Sequence, residues 1–455
     1  MKEKLLVDQE EVPDGIDIKD SKLIYRGIDL LDLSEKYGTP LRMTYLPVIS
    51  ERINEMNSYF KEAMIKYGYQ GKYSYYYCTK SSHFSHIVKK VLESEIGIEI
   101  SSAYDIELVK SLVKEGTLLR DSRIICNGYK TPDYLKGIKS LLAMDHCSIL
   151  PIIDSKSELL YYDRLNIRLD IGVRLNLGFL ASYKDESRFG LSPQEIISFY
   201  HKRIKGNKDL KITTLHFFYE KGISASNGYC KVLEDVTLFY CNFKRSNPEL
   251  NTLDIGGGMP FHSSFESDNE IQDLINMIIT TIHGVCHREC IPEPDIVTEF
   301  GKYTVADATM MIFKIHERKF TDGKNWGIVD GSFITHLPDT WAIKQEYTMV
   351  AINNLQYDYR PFLLGGLTCD SADFYPSSGS IDSVMLPDTD QEQYIAFLHT
   401  GAYQEVLSGF GGINHCLIPS PKHILIRRDS DENLTYEVFA EKQNIQNTMN
   451  ILGYR

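Results

Sequence analysis

Short apolar runs alternate with amphipathic segments between about residues 70 and 300. Each run is rich in β-branched or aromatic residues, and each following segment repeats its apolar positions every three or four residues. Eight strands are predicted, in the order KYSYYYC, IGIEI, RIICNG, SILPIID, IRLDIGVRLNL, ITTLHFF, TLDIGGG and DIVTEFG. A strand-then-helix rhythm of this length predicts an α/β protein with a closed, TIM-like (β/α)8 barrel.

The pattern changes near residue 305. From there strand-like runs such as MMIFKIHERKF, NWGIVDG and HILIRRD follow one another without long amphipathic segments. This predicts a C-terminal β-domain, either a sandwich or a barrel, and strand-like pieces near the N-terminus are expected to pack with it. We therefore divide the chain into an N-terminal segment (1–45), a barrel (46–305) and a C-terminal β-domain (306–455).

Composition and charge narrow the range of partners. The chain has 455 residues, 43% of them hydrophobic, and a formal net charge of −13. An acidic protein is a poor partner for nucleic acid or an anionic membrane, whereas a small cationic substrate is compatible with it. The sequence shows no run of about 20 apolar residues and no signal-peptide pattern, so we expect no membrane partner and a cytoplasmic location.

The cysteines do not suggest a disulfide framework. Nine cysteines at irregular spacings in a chain of this size indicate reduced thiols. The segment HGVCHREC places His283, Cys286, His287 and Cys290 on one helical face, which raises the possibility of zinc. A single helix does not easily surround a tetrahedral ion, so we interpret these as partly buried helix residues and predict no metal site.

Polar residues at the ends of the predicted strands are the candidate functional residues, because the strand ends of such a barrel form its open face. Lys80 follows the first strand, Glu99 and His216 lie near the ends of later ones, and Glu299 lies near the end of the last. A lysine just past a strand usually reaches solvent. At the mouth of a barrel, desolvation would instead lower its proton affinity, and the amine could form a Schiff base with a carbonyl.

A glycine turn and a carboxylate complete a possible cofactor site. The segment LDIGGGMP places Gly256, Gly257 and Gly258 after an apolar strand, where backbone N–H groups can hold a phosphate. Glu299 would keep a pyridine nitrogen protonated, which makes the ring an electron sink. Each feature is common by itself, but the combination with Lys80 suggests pyridoxal 5′-phosphate.

The motifs together resemble a known family. Lys80, LDIGGG, a strand ending in Glu-x-Gly, TCDSAD and TGAY are similar to the fold-type III, alanine-racemase-like decarboxylases that use pyridoxal phosphate. The segments IICNGYK, SRFGLS, LPDTWAI and GAYQEVL resemble the biosynthetic arginine decarboxylases among them. The resemblance implies a cofactor-binding barrel, a β-domain and a homodimer whose active sites draw on both subunits.

The same resemblance assigns roles to individual residues. Lys80 would carry the cofactor, and Glu299 would pair with its pyridine nitrogen. From the partner subunit, Cys369 would act near the reacting carbon and Asp370 would bind the distal cation of the substrate. The remaining positions would contact the cofactor or its phosphate: Glu99, His216, Phe218, Gly256, Gly257, Gly258, Gly301, Lys302 and Tyr403.

The chain departs from the family pattern at two of these positions. Where the family has His-x-His-x-Gly-Ser, this chain has LHFFYEKGISAS, so Phe218 stands where a stacking histidine is expected. An aromatic ring can still stack there. Lys302 replaces the arginine of Glu-x-Gly-Arg and can balance a phosphate as a point charge. The chain is also shorter than typical biosynthetic arginine decarboxylases.

The leading hypothesis is therefore decarboxylation of a basic L-amino acid, first of all arginine to agmatine and CO2 for polyamine biosynthesis. Ornithine, lysine or diaminopimelate decarboxylation is the close alternative within the same chemistry, and lysine or ornithine could form a simpler ion pair with Asp370. A noncatalytic homologue that binds or regulates a partner protein is an alternative of another class, supported by the altered LHFFYEKG segment. A zinc protein built on HGVCHREC is a third.

Overall fold

The computed structural model describes residues 15–144, 148–165, 167–183, 185–225, 228–261, 268–377 and 381–454. Within these ranges the chain forms two compact units. One consists of residues 50–260 and 268–304, and the other of residues 15–49, 261 and 305–454. None of the helices in the described ranges has the length and apolar character that crossing a bilayer requires.

The N-terminal residues form a small sheet and then one strand of a larger sheet. Three short antiparallel strands pair in sequence order, and α1 follows them with Asp29 as its N-cap. The elements are β1 Ile16–Lys19, β2 Lys22–Tyr25, β3 Ile28–Asp29, α1 Leu30–Tyr37 and β4 Leu41–Tyr45. All five residues of β4 are buried, as befits a central strand.

Eight parallel strands close into a barrel, which confirms the prediction. They are β5 Tyr73–Cys78, β6 Gly97–Ile100, β7 Arg123–Cys126, β8 Ser148–Ile153, β9 Leu169–Arg174, β10 Leu210–His216, β11 Thr252–Asp254 and β12 Asp295–Glu299. Closure comes from pairing of the last strand with the first, where Glu299 lies opposite Tyr76. Tyr76, Ile125, Ile152 and Val297 form a buried cluster contributed by four strands.

Helices alternate with these strands and begin at polar caps. Ser102 and Thr131 accept backbone N–H groups at the starts of α4 and α5, and Ser192 forms a capping box with Glu195 at α7. The helices are α2 Pro47–Tyr67, α3 Ser85–Leu92, α4 Ala103–Lys114, α5 Pro132–Leu142, α6 Lys156–Asp163, α7 Pro193–Phe199, α8 Tyr229–Ser246, α9 Asp268–Glu289 and α10 Gly301–Val305. Because all strands run in one direction, their carboxyl ends meet at one rim.

The other unit is rich in strands, as predicted, and β4 belongs to its ten-stranded sheet between β13 and β20. Its elements are β13 Thr309–Thr321, β14 Lys324–Val329, α11 Phe333–His336, α12 Pro338–Ala342, β15 Met349–Ala351, β16 Tyr359–Gly365, β17 Phe374–Tyr375, β18 Val384–Pro387, β19 Gln393–Phe397, α13 Gln404–Leu407, β20 Lys422–Arg428, β21 Leu434–Ala440 and α14 Ile445–Leu452. The N-terminal segment therefore contributes to the β-domain, which confirms that part of the predicted fold class.

Candidate active site

Lys80 lies at the rim of the barrel, and its amine contacts a buried carboxylate. A single 3-10 turn, Thr79–Ser81, places Lys80 just beyond β5. Its Nζ lies 2.7 Å from Oε2 of Glu99, whose side chain is fully buried, while the Lys80 side chain keeps 45% of its surface exposed. The amine is therefore fixed in position and still accessible.

The charges around Lys80 correct one expectation. We expected desolvation to lower the proton affinity of its amine, and burial does act in that direction. The carboxylates of Glu99 and Glu299 outweigh it and hold the pKa of Lys80 well above its usual range. The free amine is thus protonated at neutral pH, and the Glu99 carboxylate that it contacts is positioned to receive the proton.

Glu299, the last residue of β12, is held as a carboxylate by neighbours on other strands. Asn127 Nδ2 donates to both of its oxygens, at 2.8 and 2.9 Å. His216 Nε2 lies 3.7 Å from Glu299 Oε2. Burial alone would raise the pKa of Glu299, but the His216 ring, the Lys80 cation and the Asn127 amide lower it to about 2. Asn127 was not predicted as a site residue, although it lies within the IICNGYK motif.

Asp254 is a second buried carboxyl group beside Glu299, and it too lacked a predicted role. Ligand atoms of His216, Asp254 and Glu299 all lie within 4.8 Å of one another. Burial and the charge of Glu299 raise the pKa of Asp254 well above its usual range, although the Gly256 N–H donates to its Oδ1 at 2.9 Å. Two buried carboxyl groups this close favour one shared charge, so Asp254 is neutral and Glu299 is ionised.

This assignment predicts a pH-dependent effect of Asp254→Asn on stability. A carboxyl group whose pKa is raised in the folded state stabilises the fold at low pH. For Asp254, that contribution is lost as the pH rises above 3.8, the pKa of the group in the unfolded chain. An amide keeps the neutral form at every pH. We therefore expect the difference in unfolding free energy, variant minus wild type, to increase with pH. The increase should be up to about 1.4 kcal/mol per pH unit between about pH 5 and pH 8, measured by urea unfolding. A difference that does not change with pH would contradict a neutral Asp254.

The glycine turn after β11 has a shape that requires glycine. Gly256 and Gly258 have φ of 66° and 99°, which is left-handed backbone. A Cβ on Gly257 would lie 2.7 Å from the carbonyl oxygen of Glu299. Asp254 accepts the Gly256 N–H, but within the described part of the chain the N–H groups of Gly257 and Gly258 have no acceptor. Two backbone donors are therefore left for an anion.

The LHFFYEKG segment packs against this turn. The Ile223 N–H just beyond it donates to the Gly258 carbonyl at 2.8 Å. A Cβ on Gly256 would meet the Phe218 ring at 3.3 Å, so the ring borders the glycine turn. Phe218 thus lies beside the candidate phosphate site, where an aromatic face can contact a planar cofactor.

The charged residues of the same segment have other contacts. Lys221 Nζ lies 2.6 Å from Asp185 Oδ2, and Glu220 is exposed. Glu220 and Lys221, which stand near the Gly-Ser of the family pattern, are therefore exposed to solvent or paired at the surface of this loop.

Gly301 brings the end of the barrel close to Lys80. A Cβ at this position would fall 2.1 Å from Ser81 Oγ and 2.9 Å from Cys78 Cβ. Only glycine lets the turn after Glu299 approach the turn that carries Lys80. Lys302 follows in the first turn of α10 and is half-buried.

The remaining predicted site residues lie in the strand-rich unit. Asp373 braces the TCDSAD turn: it accepts the Phe333 N–H at 2.8 Å and the Thr368 hydroxyl at 2.7 Å. On this braced turn Cys369 is exposed and Asp370 is half-buried. Tyr403 precedes α13 with a positive φ of 68°.

The HGVCHREC segment forms the end of α9 and the turn after it. His283 Nδ1 lies 2.5 Å from Glu293 Oε1. Cys286 is buried, with its Sγ 3.8 Å from that of Cys241. Among the described residues, no group of three candidate metal ligands is drawn from this segment.

The donor set of the barrel rim fits pyridoxal phosphate. Buried polar atoms of three rim residues have no hydrogen-bond partner among the described residues: Glu99 Oε1, His216 Nδ1 and Asp254 Oδ2. Such atoms are costly unless a ligand or water satisfies them. An accessible amine suits an aldehyde, an ionised buried carboxylate suits a protonated ring nitrogen, and free glycine N–H groups suit a phosphate.

A parallel barrel with a lysine, a buried carboxylate and a glycine turn at one rim is the arrangement that a pyridoxal-phosphate site of the barrel type requires. Residues 50–306 match the pyridoxal-binding domain of the pyridoxal-dependent decarboxylases. The chain therefore belongs to this family, as its motifs predicted, and its cofactor is pyridoxal 5′-phosphate.

Curated relatives include biosynthetic arginine decarboxylases. That of Bacteroides thetaiotaomicron is 25% identical over 331 residues, which cover 67% of this chain and 50% of the relative. That of Marinobacter nauticus is 22% identical over 313 residues, which cover 63% of this chain and 48% of the relative. The chain thus spans about half the length of the curated relatives it matches.

Solved structures share the fold across almost the whole chain. The biosynthetic arginine decarboxylase of Campylobacter jejuni has a TM-score of 0.83 at 19% identity and covers 97% of this chain and 89% of that one. Diaminopimelate decarboxylase of M. jannaschii has a TM-score of 0.77 at 18% identity, with 96% and 97% covered. The lysine/ornithine decarboxylase of Vibrio vulnificus has a TM-score of 0.65 at 20% identity, with 86% and 97% covered.

Proposed function

We propose that the protein decarboxylates a basic L-amino acid, with arginine as the preferred substrate and agmatine and CO2 as products. The observation that carries the proposal is the rim of the barrel, where the Lys80 amine contacts Glu99 beside an ionised Glu299. Agmatine would then enter polyamine biosynthesis in the cytoplasm. The curated relatives named for arginine support this substrate.

Each part of the cofactor has a complementary group on the rim. Lys80 would hold the aldehyde carbon, Glu299 would hold the proton of the ring nitrogen, and the free N–H groups of Gly257 and Gly258 would bind the phosphate. Tyr403 and Lys302 are further phosphate ligands by family resemblance. When bound, the pyridine ring accepts the electron pair that remains on the substrate's α-carbon after CO2 leaves.

Two protons are controlled by the chain's own carboxyl groups. Lys80 must lose a proton before its amine can attack a carbonyl, and Glu99 Oε2 is 2.7 Å from that amine. Glu299 must stay ionised to keep a proton on the ring nitrogen, and the Asn127 amide stabilises that charge through two hydrogen bonds. The neutral Asp254 holds the glycine turn without competing for that proton.

The other half of the site would come from a second subunit. Cys369 would deliver a proton from its Sγ to the α-carbon, because a thiol can give and regain a proton near neutral pH. The Asp370 carboxylate would bind the distal cation of the substrate, and a guanidinium offers it two parallel charge-assisted hydrogen bonds. The exposure of Cys369, with the half-buried Asp370 beside it on the braced TCDSAD turn, supports a role across a dimer interface.

A substrate panel tests the function directly. The purified full chain, saturated with pyridoxal phosphate, would be incubated with arginine, ornithine, lysine and diaminopimelate, and CO2 and amine would be measured. We expect arginine to give the highest kcat/KM. Turnover of ornithine or lysine without CO2 from arginine would leave the decarboxylase chemistry intact and reject the substrate assignment.

A noncatalytic binding protein is the second candidate, because the LHFFYEKG segment replaces family phosphate ligands. The purified protein distinguishes the two. A decarboxylase should be yellow, and borohydride should fix the cofactor to Lys80. A colourless chain that takes up no added cofactor would favour the binding protein.

The shared active site predicts complementation between an inactive variant and an impaired one. Lys80→Ala should be inactive, and Asp370→Ala should lose about 10- to 100-fold in kcat/KM because the substrate's cation has no partner. In a co-expressed mixture half of the dimers are mixed, and each has one intact site, so activity should return to about a quarter of wild type. An activity equal to the average of the two variants would contradict a site built from two subunits.

A further inference from the structure

A cluster of soft metal ligands lies on the strand-rich unit. The Sγ atoms of Cys369 and Cys416 are 3.4 Å apart. Together with a ring nitrogen of His415, these atoms all lie within 4.8 Å of one another, and all three residues are exposed. Cys369 belongs to the TCDSAD turn, whereas His415 and Cys416 belong to a short turn before β20. The fold therefore joins ligands that are far apart in the sequence.

The spacing and the ligand types suit zinc. Zn–S bonds of about 2.3 Å and Zn–N bonds of about 2.0 Å place tetrahedral ligands about 3.5 to 3.8 Å apart. The observed Sγ–Sγ distance is close to this value and much longer than the bond of about 2.05 Å in a disulfide. Three protein ligands would leave a fourth position for water. Asp370 Oδ2, 4.0 Å from His415 Nε2, adds negative charge beside the site.

Both turns are braced independently of the ligands. Asp373 holds one turn through the Phe333 N–H and the Thr368 hydroxyl. In the other, Asn414 Nδ2 donates to the Ile418 carbonyl at 2.9 Å, which closes a loop around His415 and Cys416. Ligands held in this way need little rearrangement to bind an ion.

We propose that Cys369, His415 and Cys416 bind a soft divalent metal ion, with Zn2+ as the preferred one, and that the bound ion inhibits decarboxylation. Zinc binds thiolates, so the two thiols release their protons to solvent as two Zn–S bonds form. Cys369 then has no proton to give to the substrate carbon. The inhibitory part rests on the proposed function; the binding part does not.

Binding is tested with Zn2+ alone on the reduced, chelator-treated full chain, in competition with a chromophoric chelator. We expect one ion per chain with a Kd below about 1 µM, and a charge-transfer band typical of thiolate ligands when Co2+ is used. Cys416→Ser should weaken binding by at least about 100-fold, and His415→Ala by at least about 10-fold. Cys290→Ser, at an exposed cysteine of the HGVCHREC segment, is the matched control and should bind normally.

Several outcomes separate the site from its alternatives. If the reduced chain binds no zinc, or if Cys290→Ser rather than Cys416→Ser abolishes binding, the proposed site is wrong. Zinc bound at the cluster of a chain that decarboxylates none of the amino acids would support the metal site and reject the proposed function.

The regulatory part has its own readout. One equivalent of Zn2+ should lower the activity of the wild type by at least about 10-fold, and a chelator should restore it. Cys416→Ser should retain basal activity, because no step of the proposed decarboxylation uses Cys416, and it should resist zinc. Equal inhibition of Cys416→Ser and wild type would reject inhibition through this cluster.

Discussion

Lys80→Ala is expected to lower kcat by at least about 1,000-fold. In the proposed site, removal of this amine leaves the cofactor without a covalent attachment to the chain, so that only the glycine turn and the carboxylates would hold it. Glu99 also loses its ion pair, which leaves a fully buried carboxylate without its cation. The measurements are the turnover of the best substrate of the panel and the cofactor content per chain after gel filtration.

Lys72→Ala is the matched control for this change. Lys72 precedes β5, at the opposite end of the strand from Lys80, and its side chain is exposed. The Lys72→Ala variant should retain wild-type turnover and cofactor content, since a lysine at that end of the barrel cannot reach the rim where Lys80 lies. A Lys80→Ala protein that still holds the cofactor covalently would show that another amine is the attachment site.

The barrel could be predicted from the sequence because its signals are local and repeated. Each apolar run of the β5 to β12 series is followed by a segment of helical period, and eight repeats leave few other architectures. The strand-rich unit was predicted only in outline. β15, β17 and β18 are short strands of two to four residues, and short strands carry too little alternation to be recognised.

The candidate site was predicted where chemistry coincides with a strand end and missed where it depends on pairing between strands. Glu299 was identified from its position, but the residues that set its charge are on other strands. Asn127 is an amide and Asp254 is a protonated carboxyl group. Nothing in the local sequence of either residue shows that barrel closure brings it to Glu299. The raised pKa of Lys80 was missed for the same reason, because it depends on carboxylates contributed by β6 and β12.

Glu299→Gln tests whether the buried charge on β12 is what drives the reaction. If Glu299 pairs with the ring nitrogen as proposed, an amide in its place cannot keep that nitrogen protonated, and the cofactor accepts electrons poorly. We expect kcat to fall by about 100- to 1,000-fold, while Lys80 still attaches the cofactor. Because the pKa of Glu299 is about 2, the wild-type carboxylate stays ionised across the working range. The fall in kcat relative to wild type should therefore be the same at about pH 6 and about pH 9, because the carboxylate does not titrate between these two values.

Two comparisons separate this effect from local damage to the fold. Asn127 donates to both oxygens of Glu299, so an amide at position 299 leaves one donor facing another, at a cost of about 1 to 3 kcal/mol in stability. Thermal unfolding and cofactor content measure that cost independently of turnover. Glu107→Gln, an exposed carboxylate on α4, should leave all three quantities unchanged. A folded, cofactor-loaded Glu299→Gln protein could instead turn over within tenfold of wild type. The electron sink would then not depend on Glu299, and the neighbouring Asp254 would be the carboxyl group that ionises in its place.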